Sequence, residues 1–129
     1  MITIKSFTDV PQSKTLSTIL PVETADMWYQ YIGINIKDGS EKPIHFPVIM
    51  RDCKSDKDIP CWSLAALLNI LPNKICLDNE TYYLNCNKEE VKYLGPVTCD
   101  GQKSIVSASD NLLDGCYKMI RTLHELKLL

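Results

Sequence analysis

PCWSLAALLNILP at residues 60–72 is the longest nearly uninterrupted apolar run of the chain, and a proline stands at each of its ends. From Cys61 to Leu71 only Ser63 and Asn69 are polar. A helix that is apolar almost all round belongs inside a fold, because more than one of its sides must be covered. The stretch therefore predicts a buried central helix over about residues 61–71, around which the other elements pack.

The part of the chain before this stretch predicts a short helix followed by two strands. Asp9 or Thr8 can cap the helix, which covers about residues 10–20. Aromatic and β-branched residues predict one strand over residues 28–36 and a second over residues 44–50. Pro47 cannot donate to a strand ladder, so we expect it on an edge strand or at a bulge.

Residues 74–86 predict a β-hairpin that turns at Asn79-Glu80. A two-residue loop there pairs Leu77 with Tyr82. Because side chains alternate with period two, this pairing collects the apolar residues on one face of the hairpin and the polar residues on the other.

The end of the chain predicts a strand, a turn, a second strand and a long helix, at residues 91–94, 95–96, 104–108 and about 110–126. Ser109 or Asp110 caps this helix. Gly115 within it costs about 1 kcal/mol relative to alanine, so we expect close packing there in compensation. Together the elements predict a single α+β domain over residues 1–129, with a mostly antiparallel sheet of about four to six strands.

Composition narrows the classes of function. Hydrophobic residues make up 45% and charged residues 23% of the chain, which is typical of a globular domain. The net charge of −2 does not give the basic footprint of a nucleic-acid binder, so nucleic acid is not an expected partner. Apolar runs are too short to span a membrane, and the first residues do not form the apolar core of a signal peptide. We therefore expect a cytoplasmic protein.

The six cysteines do not point to a metal site. No two of them have CxxC spacing, and the two histidines lie far apart in sequence. We expect most of the cysteines to be small, reduced core residues, and we predict neither a metal nor a cofactor.

Cys61 is the candidate for chemistry. A thiol at the start of a helix has a lowered pKa, because unpaired N–H groups and the helix dipole stabilise the thiolate. Cys61-Trp62-Ser63 also resembles the nucleophile segment of papain-like cysteine proteases, although Ile59-Pro60 departs from the residues that precede that cysteine. This hypothesis is a thiol-dependent hydrolase or transferase with His45 or His124 as base. The other interpretation is a buried cysteine in the core.

Four aromatic residues are candidates for binding: Trp28, Tyr29, Tyr31 and Tyr83. Aromatic side chains are enriched at the hot spots of protein interfaces. They favour the hypothesis of a small module without catalytic activity that binds a protein partner or associates with itself.

Three segments carry a resemblance: residues 12–14 with 19–21, residues 60–68 and residues 123–129. Together they are similar to small uncharacterised proteins of gut Bacteroides-type bacteria and of their phages and mobile elements. The resemblance implies a bacterial, intracellular setting and brings no activity, cofactor or catalytic residue with it.

Overall fold

The computed structural model describes residues 5–37, 40–49 and 56–129, and of residues 33–37 and 40–44 it describes the backbone alone. Within these residues the chain forms three α-helices and seven β-strands, and the strands form two antiparallel sheets. The α+β class predicted from the sequence is confirmed. The strands are divided between a sheet of three and a sheet of four, where the sequence predicted one sheet.

The chain divides into two compact units. The N-terminal unit is Phe7–Ala66, and the C-terminal unit is Leu67–Leu129 together with the first residues of the chain. Each unit contains one of the two sheets. That the whole chain forms a single domain stays a prediction.

The N-terminal unit begins with helix α1, Val10–Ser17. Asp9 caps this helix as predicted, because its carboxylate accepts the N–H of Gln12 at 2.8 Å while the Gln12 side chain accepts the N–H of Asp9 at 3.1 Å. The reciprocal pair satisfies two backbone donors that would otherwise lack partners. After Ser17 the chain turns out of the helix, and the N–H of Leu20 donates to the Leu16 carbonyl at 2.8 Å.

The sheet of the N-terminal unit has strand β1, Met27–Lys37, at its centre. Strand β2, Ser40–Val48, pairs with one side of β1, and strand β3, Ile59–Cys61, pairs with the other. Pro47 lies on β2, which is an edge strand as its missing N–H requires. The sequence also indicates a turn or loop over residues 38–43; of these, residues 40–43 belong to β2 instead, and residues 38–39 lie outside the described residues.

The central helix is shorter and less buried than its sequence indicates. Helix α2 covers Leu64–Ile70, and Cys61 belongs to β3 instead. The fully buried side chain of Trp62 follows this strand. The hydroxyl of Ser63 accepts a backbone N–H of the first helical turn at 3.1 Å. The apolar run is thus divided between a strand and a helix, because its first residues pair with β1.

The C-terminal unit contains four strands in chain order: β4 (Lys74–Leu77), β5 (Glu80–Cys86), β6 (Glu90–Thr98) and β7 (Gly101–Ala108). Helix α3, Leu112–Glu125, follows and packs against β6 and β7. Asn111 caps α3, since its side chain accepts the N–H of Asp114 at 2.9 Å. The prediction of a cap at Ser109 or Asp110 is wrong by one or two residues.

The first hairpin of this sheet turns one residue earlier than predicted. Asp78 and Asn79 form the turn with φ of 53° and 65°, and Leu77 pairs with Glu80. Two successive positive φ values define the type I′ turn, which Asp and Asn tolerate far better than Glu. The pairing differs from the prediction by two positions, so the side-chain alternation is unchanged. The predicted apolar and polar faces of the hairpin are therefore correct.

Gly95 lies inside β6, where the sequence predicted a turn. A Cβ atom at this position would lie 2.5 Å from Cε2 of Tyr82, so the tyrosine ring occupies the space that a side chain would fill. The strand continues through Pro96, and its pairing with β7 shifts register between Leu94 and Val97.

Candidate functional site

Cys61, the candidate nucleophile, lies in the core of the N-terminal unit. It is the last residue of β3, and its side chain is 0% exposed. Because α2 begins at Leu64, the prediction that Cys61 starts a helix is wrong. The thiol therefore does not have the helix-terminal position from which the thiolate was expected to gain its stability.

Thr8 is the centre of the polar groups around the sulfur. Its hydroxyl lies 3.6 Å from Sγ of Cys61 and 2.7 Å from Oγ of Ser13, and it accepts the backbone N–H of Trp62 at 3.2 Å. Its carbonyl accepts the Tyr29 hydroxyl at 2.7 Å and lies 3.5 Å from the same sulfur. We call these five residues the Thr8 cluster. It joins α1, β1 and β3, as buried polar groups with mutual partners can do.

The electrostatics of the Thr8 cluster favour neutral side chains. Burial raises the pKa of the Cys61 thiol, and hydrogen bonds with Thr8 and Ser13 offset only part of that effect. Burial also raises the pKa of Tyr29 to about 12. A buried, protonated thiol is a poor nucleophile. The geometry therefore assigns the Thr8 cluster to the stability of the N-terminal unit.

The N-terminal unit, which contains Cys61, does not place a candidate base beside the thiol. His45 lies on β2 opposite Tyr31, whereas Cys61 lies on β3 opposite Met27, on the other side of β1. Four residues along β1 and two strand spacings across it separate their Cα atoms by about 16 Å. His45 instead places Nε2 3.1 Å from a carbonyl oxygen, that of Lys57.

His124, the other candidate base, is exposed in the last turn of α3, in the C-terminal unit.

The four aromatic candidates are divided between the two units and between buried and exposed positions. Trp28 and Tyr29 are buried, and they are neighbours on β1 whose side chains point to opposite faces. Tyr31 is half-buried, with the Lys57 ammonium 4.7 Å from its ring centroid. Tyr83 belongs to the C-terminal unit and is 60% exposed. Of the four, Tyr83 alone presents most of its side chain to solvent.

Tyr83 lies on the face of the four-stranded sheet that turns away from the buried core residues. Leu94 stands directly opposite Tyr83. Val106 stands opposite Lys92, which is two positions before Leu94 on β6 and therefore on the same face. Val97 is 77% and Val106 is 50% exposed, while Leu94 is half-buried. We call Tyr83, Leu94, Val97 and Val106 the open face. Large exposed apolar side chains gathered on one surface mark interaction sites.

Sequence reasoning missed the three aliphatic members of the open face. Side chains alternate between the two faces of the strand over residues 104–108, so Val106 shares a face with Ser104 and Ala108, which are exposed. This alternation is visible in the sequence and could have identified Val106. Val97 could not be found in this way, because the register shift after Leu94 breaks the alternation.

A groove of about 440 Å³ runs between β7 and α3. Its wall on the strand side is formed by Val106, Ser107 and Ala108, and its wall on the helix side by Lys118, Arg121, Thr122 and Glu125. Val106 belongs to both the groove and the open face, so the two surfaces adjoin.

Three of the cysteines are exposed on the C-terminal unit, at positions 76, 86 and 99, and two are buried, Cys61 and Cys116. Cys53 lies outside the described residues. The expectation that most cysteines belong to the core is therefore wrong for the C-terminal sheet.

Comparison of the chain with protein-family models, curated proteins and solved structures gave no match. Among residues 5–37, 40–49 and 56–129, every helix is too short or too polar to cross a bilayer. In the same part of the chain, no three His, Cys, Asp or Glu side chains are grouped so that they could hold a metal ion.

Proposed function

We propose that the protein is a small intracellular binding module, without catalytic activity of its own, that recognises another protein. The observation that carries the proposal is the open face: Tyr83, Val97 and Val106 are half or more exposed on one side of a sheet whose other side α3 covers. Tyrosine is enriched at interface hot spots, where its large ring contributes contact area at a low cost in conformational entropy. The burial of Cys61 supports the same choice against a thiol enzyme.

The proposal is tested by cross-linking at the open face. A photoreactive phenylalanine analogue at position 83 should cross-link to a discrete protein in cells, which mass spectrometry identifies. The purified partner is then titrated with the wild-type protein, with Tyr83→Asp and with Val22→Asp. Val22 is a matched control, because it is an apolar residue of the N-terminal unit that is 47% exposed.

We expect Tyr83→Asp to weaken binding at least about tenfold, as loss of a hot-spot residue does, and Val22→Asp to leave it unchanged. Equal affinity of all three proteins would refute the proposal. Cross-links only to a second copy, together with a dimer mass in solution, would replace it with self-association.

A further inference from the structure

β7 is the outer strand of the four-stranded sheet, so among residues 5–37, 40–49 and 56–129 one of its edges has no strand partner. The N–H of Ser109 donates to the Glu89 carbonyl on the β6 side at 2.8 Å. In an antiparallel ladder the residues that bond to the neighbouring strand alternate with those that point away. The backbone N–H and C=O groups of Ser104, Val106 and Ala108 therefore point to the free edge.

A side chain of α3 bears out this orientation. The Lys118 ammonium reaches the Ala108 carbonyl from outside the sheet and donates to it at 3.2 Å. It thus occupies one end of the free edge, and Val106, two residues before Ala108 on the same edge, is among the residues that line the groove. An ammonium has three donors, so Lys118 retains donors for a further acceptor.

The groove carries an excess of positive charge. Lys118 and Arg121 contribute two cations to its helix side, and Glu125 contributes one carboxylate. Lys118 donates to a backbone carbonyl, and the Arg121 guanidinium lies 5.7 Å from the centroid of the Tyr117 ring. Within the described part of the chain, neither cation forms an ion pair with a carboxylate.

We propose that the groove binds an extended peptide segment of the partner, which adds to β7 as a fifth strand and places a carboxylate against Lys118 and Arg121. The inference rests on the proposed function and names the partner's chemistry at the surface that adjoins the open face. Main-chain hydrogen bonds to the edge supply affinity in such strand addition, and side-chain pockets supply specificity. The carboxylate comes from an acidic side chain or from a chain terminus.

Charge favours a peptide over a second copy of this chain as the occupant. Two copies paired edge to edge through β7 would bring two grooves of the same positive sign together. A carboxylate of a partner instead meets guanidinium and ammonium donors, and such charge-assisted hydrogen bonds are stronger than neutral ones.

The probe is a displayed library of random twelve-residue peptides, selected on the full-length protein. The tightest binder is synthesised in five forms: unmodified, amidated at its C-terminus, with its acidic side chains changed to amides, and N-methylated at either of the two alternate sets of backbone amides. Binding is measured by fluorescence polarisation at fixed salt. The protein is used as wild type and as Val106→Pro, Arg121→Glu and Lys74→Glu.

Val106→Pro removes a donor that faces the free edge and leaves the ladder to β6 complete. Lys74→Glu is the matched control, because Lys74 is an exposed cation on β4, at the opposite edge of the same sheet.

We expect Val106→Pro and Arg121→Glu each to weaken binding about tenfold or more, and Lys74→Glu to leave it within about twofold. N-methylation should abolish binding for one alternate set of amides and not for the other, which tests strand pairing on the unaltered protein. Loss of binding on amidation identifies a terminal carboxylate, and loss on the change to side-chain amides identifies an acidic residue.

The inference is overturned if no peptide is enriched, if binding is unaffected by Arg121→Glu, or if N-methylation at either set has the same effect. It is also overturned if the protein forms a dimer that Val106→Pro dissociates, because a second copy then occupies the edge. A partner that depends on Tyr83 and not on Val106 or Arg121 leaves the proposed function standing while this inference fails.

Discussion

Gly95→Ala is expected to lower the free energy of unfolding of the C-terminal unit by about 1–2 kcal/mol. The new Cβ would lie 2.5 Å from Cε2 and 2.8 Å from Cδ2 of Tyr82, whereas ordinary contacts begin at 3.4 Å. The buried ring must therefore retreat by about 1 Å, and overpacking of this kind costs about 1–3 kcal/mol. Reduced freedom of the unfolded chain returns about 0.4–1 kcal/mol of that cost.

Gly115→Ala is the matched control for this prediction. Its Cβ would lie 3.2 Å from Cγ2 of Val91, the close packing expected of this glycine, and a methyl group can yield by a few tenths of an ångström. Alanine also gains about 1 kcal/mol in helix propensity, so we expect a net change near zero.

Urea unfolding followed by far-UV circular dichroism measures both variants. Tryptophan fluorescence in the same titration reports the N-terminal unit, because Trp28 and Trp62 are the two tryptophans of the chain and both lie there.

A Gly95→Ala protein as stable as the wild type would show that the Tyr82 ring does not cover Gly95. The reasoning is also refuted if the loss persists in a Tyr82→Leu background. The double-mutant cycle should give a coupling energy of about 0.5–3 kcal/mol, because the two residues are in contact.

Thr8→Val should lower the free energy of unfolding by about 1–3 kcal/mol, since it leaves the buried N–H of Trp62 without its acceptor, while the same change at the less buried Thr15 should cost less; urea midpoints compare the two variants. Asn79→Ala should lower the free energy of unfolding by about 1 kcal/mol, because alanine adopts the positive φ of 65° less readily than asparagine. Asn79→Gly should not lower it, and thermal melts measure both variants. Iodoacetamide at pH 8 should leave Cys61 unlabelled in the native protein, because burial raises its pKa; fast labelling, seen by peptide mass spectrometry, would restore the thiol-enzyme hypothesis. Burial raises the pKa of Cys116 from 9.0 to about 12, so its contribution to stability should be complete below about pH 9 and be lost as the pH rises toward 12; a Cys116→Ala variant should show a smaller fall in urea midpoint between pH 8 and 10.

Local chemistry predicted much of the fold. The cap at Asp9, the edge position of Pro47 and the two faces of the 74–86 hairpin each depend on a few neighbouring residues. The hairpin register was wrong because the prediction weighed apolar alternation, which is unchanged by a shift of two residues. The left-handed φ values at Asp78 and Asn79 select one register among those that share the same alternation.

Contacts distant in sequence decided what local patterns could not. Cys61 reads as the start of an apolar helix, yet pairing with Met27 on β1 draws it into a strand. The loss of the helix-terminal position removed the physical basis of the thiol-enzyme hypothesis. The period-two rule places Tyr83 on the polar face of its hairpin, and in the structure its side chain is 60% exposed.

The unequal edges of the four-stranded sheet limit how this sheet can pair with other chains. β4 is four residues long and carries Lys74 on its outer edge, whereas β7 is eight residues long. Lysine and a short edge strand both discourage pairing with another chain. Head-to-tail growth through this sheet needs two receptive edges on every subunit, and of its two edges in the described part of the chain β7 is the more receptive. A strand added to β7 therefore has no equally receptive edge at β4, which opposes the growth of a filament through this sheet.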